Sequence, residues 1–361
     1  MVASLVSNKI NINSHKGEYA VNFIKGNISQ LNSELSDNNF YIVDANVAFI
    51  YASQLNSILN SKRVLLIDAT EENKSLDKFP FYIESLVNAK VRRGQNLVAI
   101  GGGIIQDITC FLAATMMRGL PWIFYPTTLL AQSDSCIGSK SSINSGDIKN
   151  ILGTFTPPNK VIIDVNFLKT LEEKDILSGI GEMIKVHAIN SPQSFDLFAK
   201  SYDDVKNDSL LMEKFIHQSL LMKKKLIEID EFDLGPRNVM NYGHSFGHAI
   251  ETATNYAIPH GIAVTMGMDI ANYVASKLGI SSNKHFERMH SVLDKNCKFY
   301  RKVSIDVNSL ILALAKDKKN SATQLRLILP NLDGNITIGL YDNNEKLLNI
   351  IKEYFFIYGG K

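Results

Sequence analysis

Three histidines in the second half of the chain have the residue type and spacing of metal ligands. His244 and His248 are four residues apart, so they share one face if segment 241–251 is helical. His260 follows after a turn that Pro259 indicates. Three converging imidazoles are typical of zinc or a similar divalent metal, whereas one histidine pair at this spacing is more often structural. The residues therefore predict a metal site, with a fourth, oxygen ligand from elsewhere in the chain.

Charged and amide side chains near these histidines favour a metal site over a structural role. Lys223, Arg237 and Asn241 lie close to them in the sequence. Glu182 is a charged residue in the otherwise apolar helical pattern 178–185. A lone glutamate in such a pattern is ordinarily a surface residue, so spacing alone does not assign it to the site.

A glycine-rich turn lies in the first half of the chain. Gly101, Gly102 and Gly103 follow the apolar run 97–100 and precede a helical pattern, in which Asp107 is a candidate cap or ligand contact. Glycines after a strand let the backbone approach a ligand closely, and the helix N-terminus behind them attracts phosphate. A tight strand-to-helix turn would use the same residues, so this motif alone leaves both interpretations open.

A polar segment follows the glycine turn. Residues 126–140 carry many hydroxyl groups with one acid, Asp134, and one base, Lys140, and Lys149 and Asn150 come soon after. Lysine and asparagine near a glycine turn suit an anionic oxygen such as that of phosphate. A polar surface loop is the alternative, but the length of the segment and its small residues favour a ligand-binding loop.

The composition indicates a globular protein of ordinary charge. The chain has 361 residues, which predicts about two domains, and 45% hydrophobic with 20% charged residues excludes a disordered chain. A formal net charge of +2 gives no reason to expect a nucleic-acid partner. Three scattered cysteines favour a reducing compartment, and segment 1–13 alternates apolar and polar residues, unlike a signal peptide. We therefore expect a cytoplasmic protein without a membrane span.

Two kinds of scaffold are needed to position these candidate residues. Up to Asp164, short apolar runs alternate with helical patterns, which is typical of a largely parallel α/β sheet. Beyond it, long helical patterns predominate. We predict an α/β domain over residues 1–165 and a mainly α-helical domain over residues 166–361. The predicted strands are 40–43, 64–67, 97–100, 122–125, 161–163, 325–329 and 336–338, and the predicted helices are 81–90, 107–117, 172–189, 210–229, 244–253, 261–278 and 344–356.

These motifs, in this order, resemble the 3-dehydroquinate synthase family of sugar phosphate cyclases. The resemblance covers most of the chain, from Asp44 to Asn320, and several spaced motifs carry it. The matching segments are 101–107, 117–119, 126–131, 134–140, 149–150, 182–185, 241–251, 260–261 and 317–320. The resemblance implies a Rossmann-like NAD-binding domain, a helical domain that binds a divalent metal (zinc, or else cobalt), and a homodimer.

The resemblance also implies a metal-ligand set that differs from the one favoured by spacing. The ligands it implies are Glu182, His244 and His260, while His248 lies beside the metal as a proton-transfer or hydrogen-bonding group. The residues implied to contact NAD are Asp44, Glu71, Lys74, Gly101, Gly102, Gly103, Asp107, Thr127, Thr128, Asp134 and Lys149. The residues implied to contact a phosphorylated sugar-acid substrate are Lys140, Asn150 and Lys318 at its phosphate, Arg118 from the partner subunit, Lys223 and Arg237 at its carboxylate, and Lys185 and Asn241 at its hydroxyls.

The reaction that the resemblance implies begins with oxidation of a metal-polarised alcohol by NAD. Phosphate elimination, return of the hydride, ring opening and aldol closure follow. Lys223 and Arg237 together favour an acidic substrate, because a bidentate arginine suits a carboxylate. The expected reaction is therefore conversion of 3-deoxy-arabino-heptulosonate 7-phosphate to 3-dehydroquinate.

Four positions depart from the family pattern and leave the substrate open. They are Gln106 and Ser139 where glycines are usual, His187 where a small residue is usual, and Ile262 where glutamate is usual. One alternative is a cyclase of the same superfamily that acts on another phosphorylated sugar or sugar acid. Others are a metal-dependent alcohol or glycerol dehydrogenase, which needs no phosphate cluster, and a binding module without activity.

Overall fold

The computed structural model describes residues 8–26, 31, 35–146, 148–315 and 323–359. They form two compact units: the first contains the described residues up to Leu171 together with Ile216–Asp233, and the second contains Glu172–Phe215 and the residues from Leu234 onward. The sequence predicts one domain boundary near residue 166. The units of the structure have additional boundaries, because segment 216–233 belongs to the first unit. Lys318, a predicted phosphate contact, lies outside the described residues.

The first unit is built on a seven-stranded sheet with the order β1-β2-β9-β6-β5-β3-β4. The pair β1–β2 is antiparallel, whereas all the other neighbours are parallel. The strands are β1 (Lys9–Ser14), β2 (Gly17–Phe23), β3 (Asn39–Asp44), β4 (Val64–Ile67), β5 (Asn96–Gly101), β6 (Trp122–Pro126) and β9 (Lys160–Ile163), with a separate pair formed by β7 (Ile143–Ser145) and β8 (Ile148–Leu152). The five strands predicted here are confirmed, but the hairpin β1–β2 was not predicted.

Helices cover this sheet and connect its parallel strands. They are α1 (Ala45–Ile50), α2 (Asn56–Leu59), α3 (Phe79–Asn88) and α4 (Gly103–Thr115), with 3₁₀ turns at Leu76–Lys78, Met116–Arg118 and Val165–Thr170 and a π-helix at Ala131–Ser135. One core cluster packs α1 against the inner strands through Val43, Val47, Tyr51, Val98 and Ile100. Burial of β5 over its whole length explains its continuous apolar sequence, since a parallel strand is covered on both faces.

The second unit is mainly helical, as the sequence predicts. Its helices are α5 (Glu173–Asn190), α6 (Pro192–Lys200), α7 (Tyr202–Val205), α9 (His244–Ala253), α10 (His260–Lys277), α11 (Asn283–Cys297), α12 (Val307–Ala315) and α13 (Glu345–Tyr358), with a hairpin of β10 (Gln324–Pro330) and β11 (Ile336–Asp342). Helix α8 (Ser209–Ile229) begins in this unit and ends in the first. No helix in the described ranges has the length and hydropathy of a membrane span.

Helices α5 and α10 approach each other closely at two glycines. A Cβ atom on Gly181 would lie 2.2 Å from the carbonyl oxygen of Gly261, and one on Gly261 would lie 1.9 Å from the carbonyl oxygen of Ser178. Both distances are far below van der Waals contact, so only glycine fits at either position. The next residue after Gly181 is Glu182, and the residue before Gly261 is His260. The contact therefore brings two predicted metal ligands together.

Candidate active site

The predicted metal site is assembled from three helices of the second unit. His244, His248 and His260 each offer one ring nitrogen, and these nitrogens all lie within 4.8 Å of one another. Glu182 approaches from α5, with its Oε1 3.6 Å from Nε2 of His260. The structure thus brings together the histidine trio that spacing favours. It places Glu182, the third ligand that the resemblance implies, beside His260.

Two acceptors fix the protons of these imidazoles. Nδ1 of His260 lies 3.1 Å from a carboxylate oxygen of Glu251, and Nδ1 of His244 lies 3.3 Å from the carbonyl oxygen of Tyr242. Because a carbonyl or carboxylate oxygen accepts a hydrogen bond, each Nδ1 carries the proton and each Nε2 keeps its lone pair. Carboxylates behind histidine ligands raise ligand basicity in this way.

Charges around the histidines move their pKa values in opposite directions. Burial lowers the pKa of His244 well below its usual value, and the charge of Lys185, together with that of His260 or His248 whenever either is protonated, acts in the same direction. Burial also lowers the pKa of His260, but the hydrogen bond to Glu251 and the charges of Glu182 and Glu251 more than offset it, so this pKa is raised. Carboxylates thus concentrate negative charge on the His260 side of the cluster, as a cation site requires.

Lys185 is buried beside the cluster and pairs with Glu182. Its Nζ contacts Oε2 of Glu182, and both side chains are almost fully buried. Arg237 and Asn241 belong to the 3₁₀ segment Pro236–Asn241, where Arg237 is buried and the Asn241 side chain donates to the Asn238 carbonyl oxygen at 3.1 Å. The second unit therefore carries two buried cations, Lys185 and Arg237, of the kind that bind hydroxyls and carboxylates.

In the first unit, predicted NAD contacts follow three adjacent parallel strands. Asp44 ends β3, the glycines 101–103 follow β5, and Thr127 follows β6. The chain order reverses between β3 and β5, since β4 lies on one side of β3 and β5 on the other. Ligands of open α/β sheets bind outside the carboxyl ends of the strands at such a switch point.

The glycine turn has the space for a close backbone approach. A Cβ on Gly102 would lie 2.9 Å from the Thr128 side chain, while one on Gly103 would face open space. Gly103 is also the first residue of α4, and the first amide groups of this helix have no hydrogen-bond partner within the helix. The turn therefore offers amide donors to an anionic ligand, as predicted from the sequence.

Three predicted NAD contacts and one predicted phosphate contact form a polar cluster in the first unit. Lys74 Nζ lies 3.2 Å from Asp107 Oδ2, 3.0 Å from Asn150 Oδ1 and 3.5 Å from Glu71 Oε1. Burial raises the pKa of Asp107 to about 6 against the opposing charge of Lys74. Perturbed carboxyl groups of this kind are frequent at functional sites.

A second cluster joins the π-helix Ala131–Ser135 to helix α8. Lys223 Nζ pairs with the Asp134 carboxylate and donates to the Asp134 carbonyl oxygen at 2.7 Å. Both side chains are buried. The predicted carboxylate ligand Lys223 is thus held by a residue predicted to contact NAD.

Lys140, a predicted phosphate ligand, pairs with Asp233, which the sequence analysis did not assign to the site. Lys140 Nζ lies 2.5 Å from Asp233 Oδ2. Asp233 has a φ of +59°, and Asn150 (+53°) and Arg118 (+64°) share this left-handed conformation. Left-handed backbone at non-glycine residues is strained, and such strain concentrates at functional sites.

Arg118 is exposed, while Lys149 lies on the exposed strand β8.

The four departures from the family pattern are all buried. His187 points to the side of α5 opposite Lys185, since two residues turn a helix by about 200°. Its Nδ1 lies 2.9 Å from Ser194 Oγ, and its ring contacts Phe198 and Phe215. His187 therefore belongs to the core of its unit. Ile262 and Ser139 are also buried, and Gln106 bonds to Ser135.

Comparison with known proteins identifies the family of this chain. Residues 64–178 match the family description 3-dehydroquinate synthase N-terminal, and residues 179–320 match 3-dehydroquinate synthase C-terminal. A 3-dehydroquinate synthase from Dehalococcoides mccartyi (strain 195) is 35% identical over 86% of this chain and 88% of its own length. The chain belongs to the 3-dehydroquinate synthase family. Another family member, from Alkaliphilus metalliredigens, is 31% identical over 97% of this chain and 99% of its own length.

A solved structure, that of 2-deoxy-scyllo-inosose synthase, shares the fold of this chain. A crystal structure of 2-deoxy-scyllo-inosose synthase, complexed with carbaglucose-6-phosphate, NAD⁺ and Co²⁺, superposes with a TM-score of 0.83. It covers 96% of this chain and 99% of its own, at 23% sequence identity. The predicted fold class, an α/β domain followed by a helical domain, is confirmed by this similarity.

Two charged residues beside the predicted family ligands were missed. Glu251 lies within the histidine motif, but its contact with His260 becomes visible only in the three-dimensional structure. Asp233 lies four residues before Arg237, and the contact of Asp233 with Lys140 likewise becomes visible only in the structure. An acid at each end of segment 233–251 is the sequence pattern that could have directed attention to both.

Proposed function

We propose that this chain is a 3-dehydroquinate synthase that converts 3-deoxy-arabino-heptulosonate 7-phosphate to 3-dehydroquinate with NAD and a divalent metal. The observation that carries the proposal is the cluster of His244, His248 and His260, with Glu182 beside His260 and paired with Lys185, in a chain of this family. The relatives named 3-dehydroquinate synthase match over most of both chains. The structurally similar 2-deoxy-scyllo-inosose synthase was solved in complex with carbaglucose-6-phosphate, NAD⁺ and Co²⁺, which supports a phosphorylated substrate, NAD and a divalent metal here.

The residues present fit a divalent metal. Imidazole nitrogens and a carboxylate oxygen are the donors that zinc and cobalt prefer. We assign the ligand role to Glu182, His244 and His260, with the Nε2 lone pairs of both histidines directed by acceptors at Nδ1. His248 is exposed and its ring lies 5.8 Å from that of His260, which suits a group that exchanges protons with solvent.

The first unit fits a dinucleotide. Asp44 and the glycine turn flank the switch point of the sheet, and the start of α4 offers amide donors to a pyrophosphate. Asp44, which accepts a hydrogen bond from the backbone of Asn46, would offer a carboxylate acceptor to a ribose hydroxyl. The other NAD contacts implied by the resemblance, including Glu71, Lys74 and Lys149, are proposed on the same basis.

When bound, the metal would polarise a secondary alcohol and NAD would accept and return a hydride. The side chains of this protein bind and orient the substrate. Lys140 and Asn150 would bind its phosphate, Lys223 and Arg237 are buried cations suited to its carboxylate, and Lys185 and Asn241 are donors suited to its hydroxyls. Asp233 would hold the Lys140 ammonium in place until phosphate replaces it as the partner.

We also propose a homodimer in which Arg118 reaches the partner's site. Arg118 is exposed, and both Met117 and Arg118 have left-handed backbone conformations at the end of α4. Retention of such strain at an exposed arginine supports a function outside its own unit.

Phosphate release tests the proposed reaction. Purified protein with NAD and zinc or cobalt is given either 3-deoxy-arabino-heptulosonate 7-phosphate or sedoheptulose 7-phosphate. Release from the first, with one 3-dehydroquinate per phosphate and no net NADH, is expected. Release from the second alone would identify a cyclase with another substrate, and net NADH from a simple alcohol would identify a dehydrogenase. Glu182→Ala should abolish release, whereas the exposed control Glu84→Ala should not.

A further inference from the structure

Gln106 makes a reciprocal contact that a glycine at this position could not make. It lies in the first turn of α4 and is 6% exposed. Its Nε2 donates to the Ser135 carbonyl oxygen at 2.6 Å, and Ser135 Oγ donates to Gln106 Oε1 at 2.6 Å. The side chain of Gln106 thus binds both the backbone and the side chain of Ser135.

Ser135 is the last residue of the π-helix that holds Lys223. The carbonyl oxygen of Asp134 accepts from Lys223, and the next carbonyl oxygen, that of Ser135, accepts from Gln106. Two neighbouring carbonyls of one turn are therefore held by side chains from two different helices, α4 and α8. π-Helical turns are rare and are frequently found at functional sites.

We propose that Gln106 is a positioning residue for Lys223 and thereby sets the preference for an acidic substrate. The proposal rests on the proposed function in one respect, that Lys223 meets the substrate carboxylate. Loss of Gln106 would leave the carbonyl and hydroxyl of the half-buried Ser135 without these bonds, and the turn would shift to satisfy them. Lys223 would be displaced by a shift of the turn, because its Nζ contacts both the carboxylate and the carbonyl oxygen of Asp134.

Kinetics of the holoenzyme test the effect on substrate. Gln106→Leu keeps the volume and removes both hydrogen bonds, and we expect about a tenfold higher KM for 3-deoxy-arabino-heptulosonate 7-phosphate, the factor for about one hydrogen bond. We expect kcat to change by less than about twofold, and the inhibition constant of inorganic phosphate, which does not involve Lys223, to stay unchanged. Gln193→Leu, at an exposed glutamine, is the matched control. Equal loss of kcat and phosphate affinity would show a merely structural role and overturn the proposal.

The partner residue supplies a second route should Gln106→Leu fail to fold. Ser135→Ala removes only the bond from the Ser135 hydroxyl and should raise KM less than Gln106→Leu, whereas Ser135→Thr keeps the hydroxyl and should retain the original KM. The double variant should be no worse than Gln106→Leu alone, since that change already removes both bonds. Additive effects would contradict a single Gln106–Ser135 unit.

Chemical labelling of Lys223 separates this inference from the proposed reaction. Trinitrobenzenesulfonate reacts with free amines, and peptide mass spectrometry measures the rate at Lys223. We expect labelling at least about tenfold faster in Gln106→Leu than in the original protein or in Gln193→Leu. An unchanged rate would overturn the inference even if the protein turns over the acidic substrate. Faster labelling in a protein that lacks this activity would support the positioning role and refute the proposed function alone.

Discussion

Replacement of Glu251 should weaken metal binding although Glu251 is not itself a proposed metal ligand. The Glu251 carboxylate accepts from Nδ1 of His260 at 3.1 Å, and its side chain is 13% exposed. Glu251→Gln leaves an amide oxygen that accepts the same hydrogen bond but removes the charge. Glu251→Ala removes the acceptor altogether.

The expected magnitude follows from the difference between charged and neutral hydrogen bonds. A hydrogen bond to a charged group contributes about 1.5–3 kcal/mol and a neutral one about 0.5–1.5 kcal/mol. Glu251→Gln should therefore lose about 1.4 kcal/mol of metal binding, a tenfold higher dissociation constant. Glu251→Ala should reach about 100-fold, the upper end for groups that orient metal-ligating histidines.

Competition with a chromophoric chelator measures the zinc dissociation constant directly, and the visible spectrum of the cobalt-loaded protein reports ligand geometry. Glu84→Gln, at an exposed glutamate of α3, is the matched control and should bind zinc normally. A change of less than about twofold in Glu251→Gln, with the protein still folded, would refute the role of Glu251 in directing His260.

Three further predictions concern pH, packing and substrate. Burial lowers the pKa of His187 to about 4, so between pH 6.5 and 4 the unfolded chain binds a proton that the folded protein does not. The free energy of unfolding should therefore fall by about 3 kcal/mol as the pH falls through this window. Urea unfolding of His187→Phe should show a correspondingly smaller fall in stability. Gly181→Ala should destabilise the protein by about 1–3 kcal/mol in thermal or urea unfolding although alanine favours helix, because its Cβ would collide with the Gly261 carbonyl; a neutral or stabilising effect would contradict this close contact. Arg237→Ala should raise the KM of the acidic substrate far more than that of sedoheptulose 7-phosphate, and equal changes in steady-state assays would argue against carboxylate recognition.

Strands with continuous apolar runs could be predicted, whereas half-buried ones could not. Runs such as 97–100 are buried on both faces, and their hydropathy alone reveals them. The hairpin β1–β2 alternates buried and exposed residues, a weaker pattern that overlaps with that of other segments. Helix α11 was also missed, although its buried residues Phe286, Met289 and Leu293 recur at helical spacing.

The site could be predicted where its residues are neighbours in sequence. His244 and His248 are one helical turn apart, and the glycines 101–103 are consecutive. When packing alone brings two residues together, their spacing in the sequence gives no indication of the contact. Glu182 meets His260 only because two glycines let α5 and α10 touch, so the resemblance to a family was needed to select it.

The division of helix α8 between two units has a consequence for synthesis on the ribosome. Asp134 is buried in the first unit, yet its partner Lys223 is made 89 residues later, after segment 172–215 of the second unit. At roughly 5–20 residues per second, the nascent first unit waits several seconds for the cation that neutralises this carboxylate. A fragment that ends at Leu171 would lack Lys223, and removal of one partner of a buried ion pair strongly destabilises a fold. The two halves of this chain therefore cannot be separated by a single cut, because the N-terminal piece receives its last buried charge from the C-terminal one.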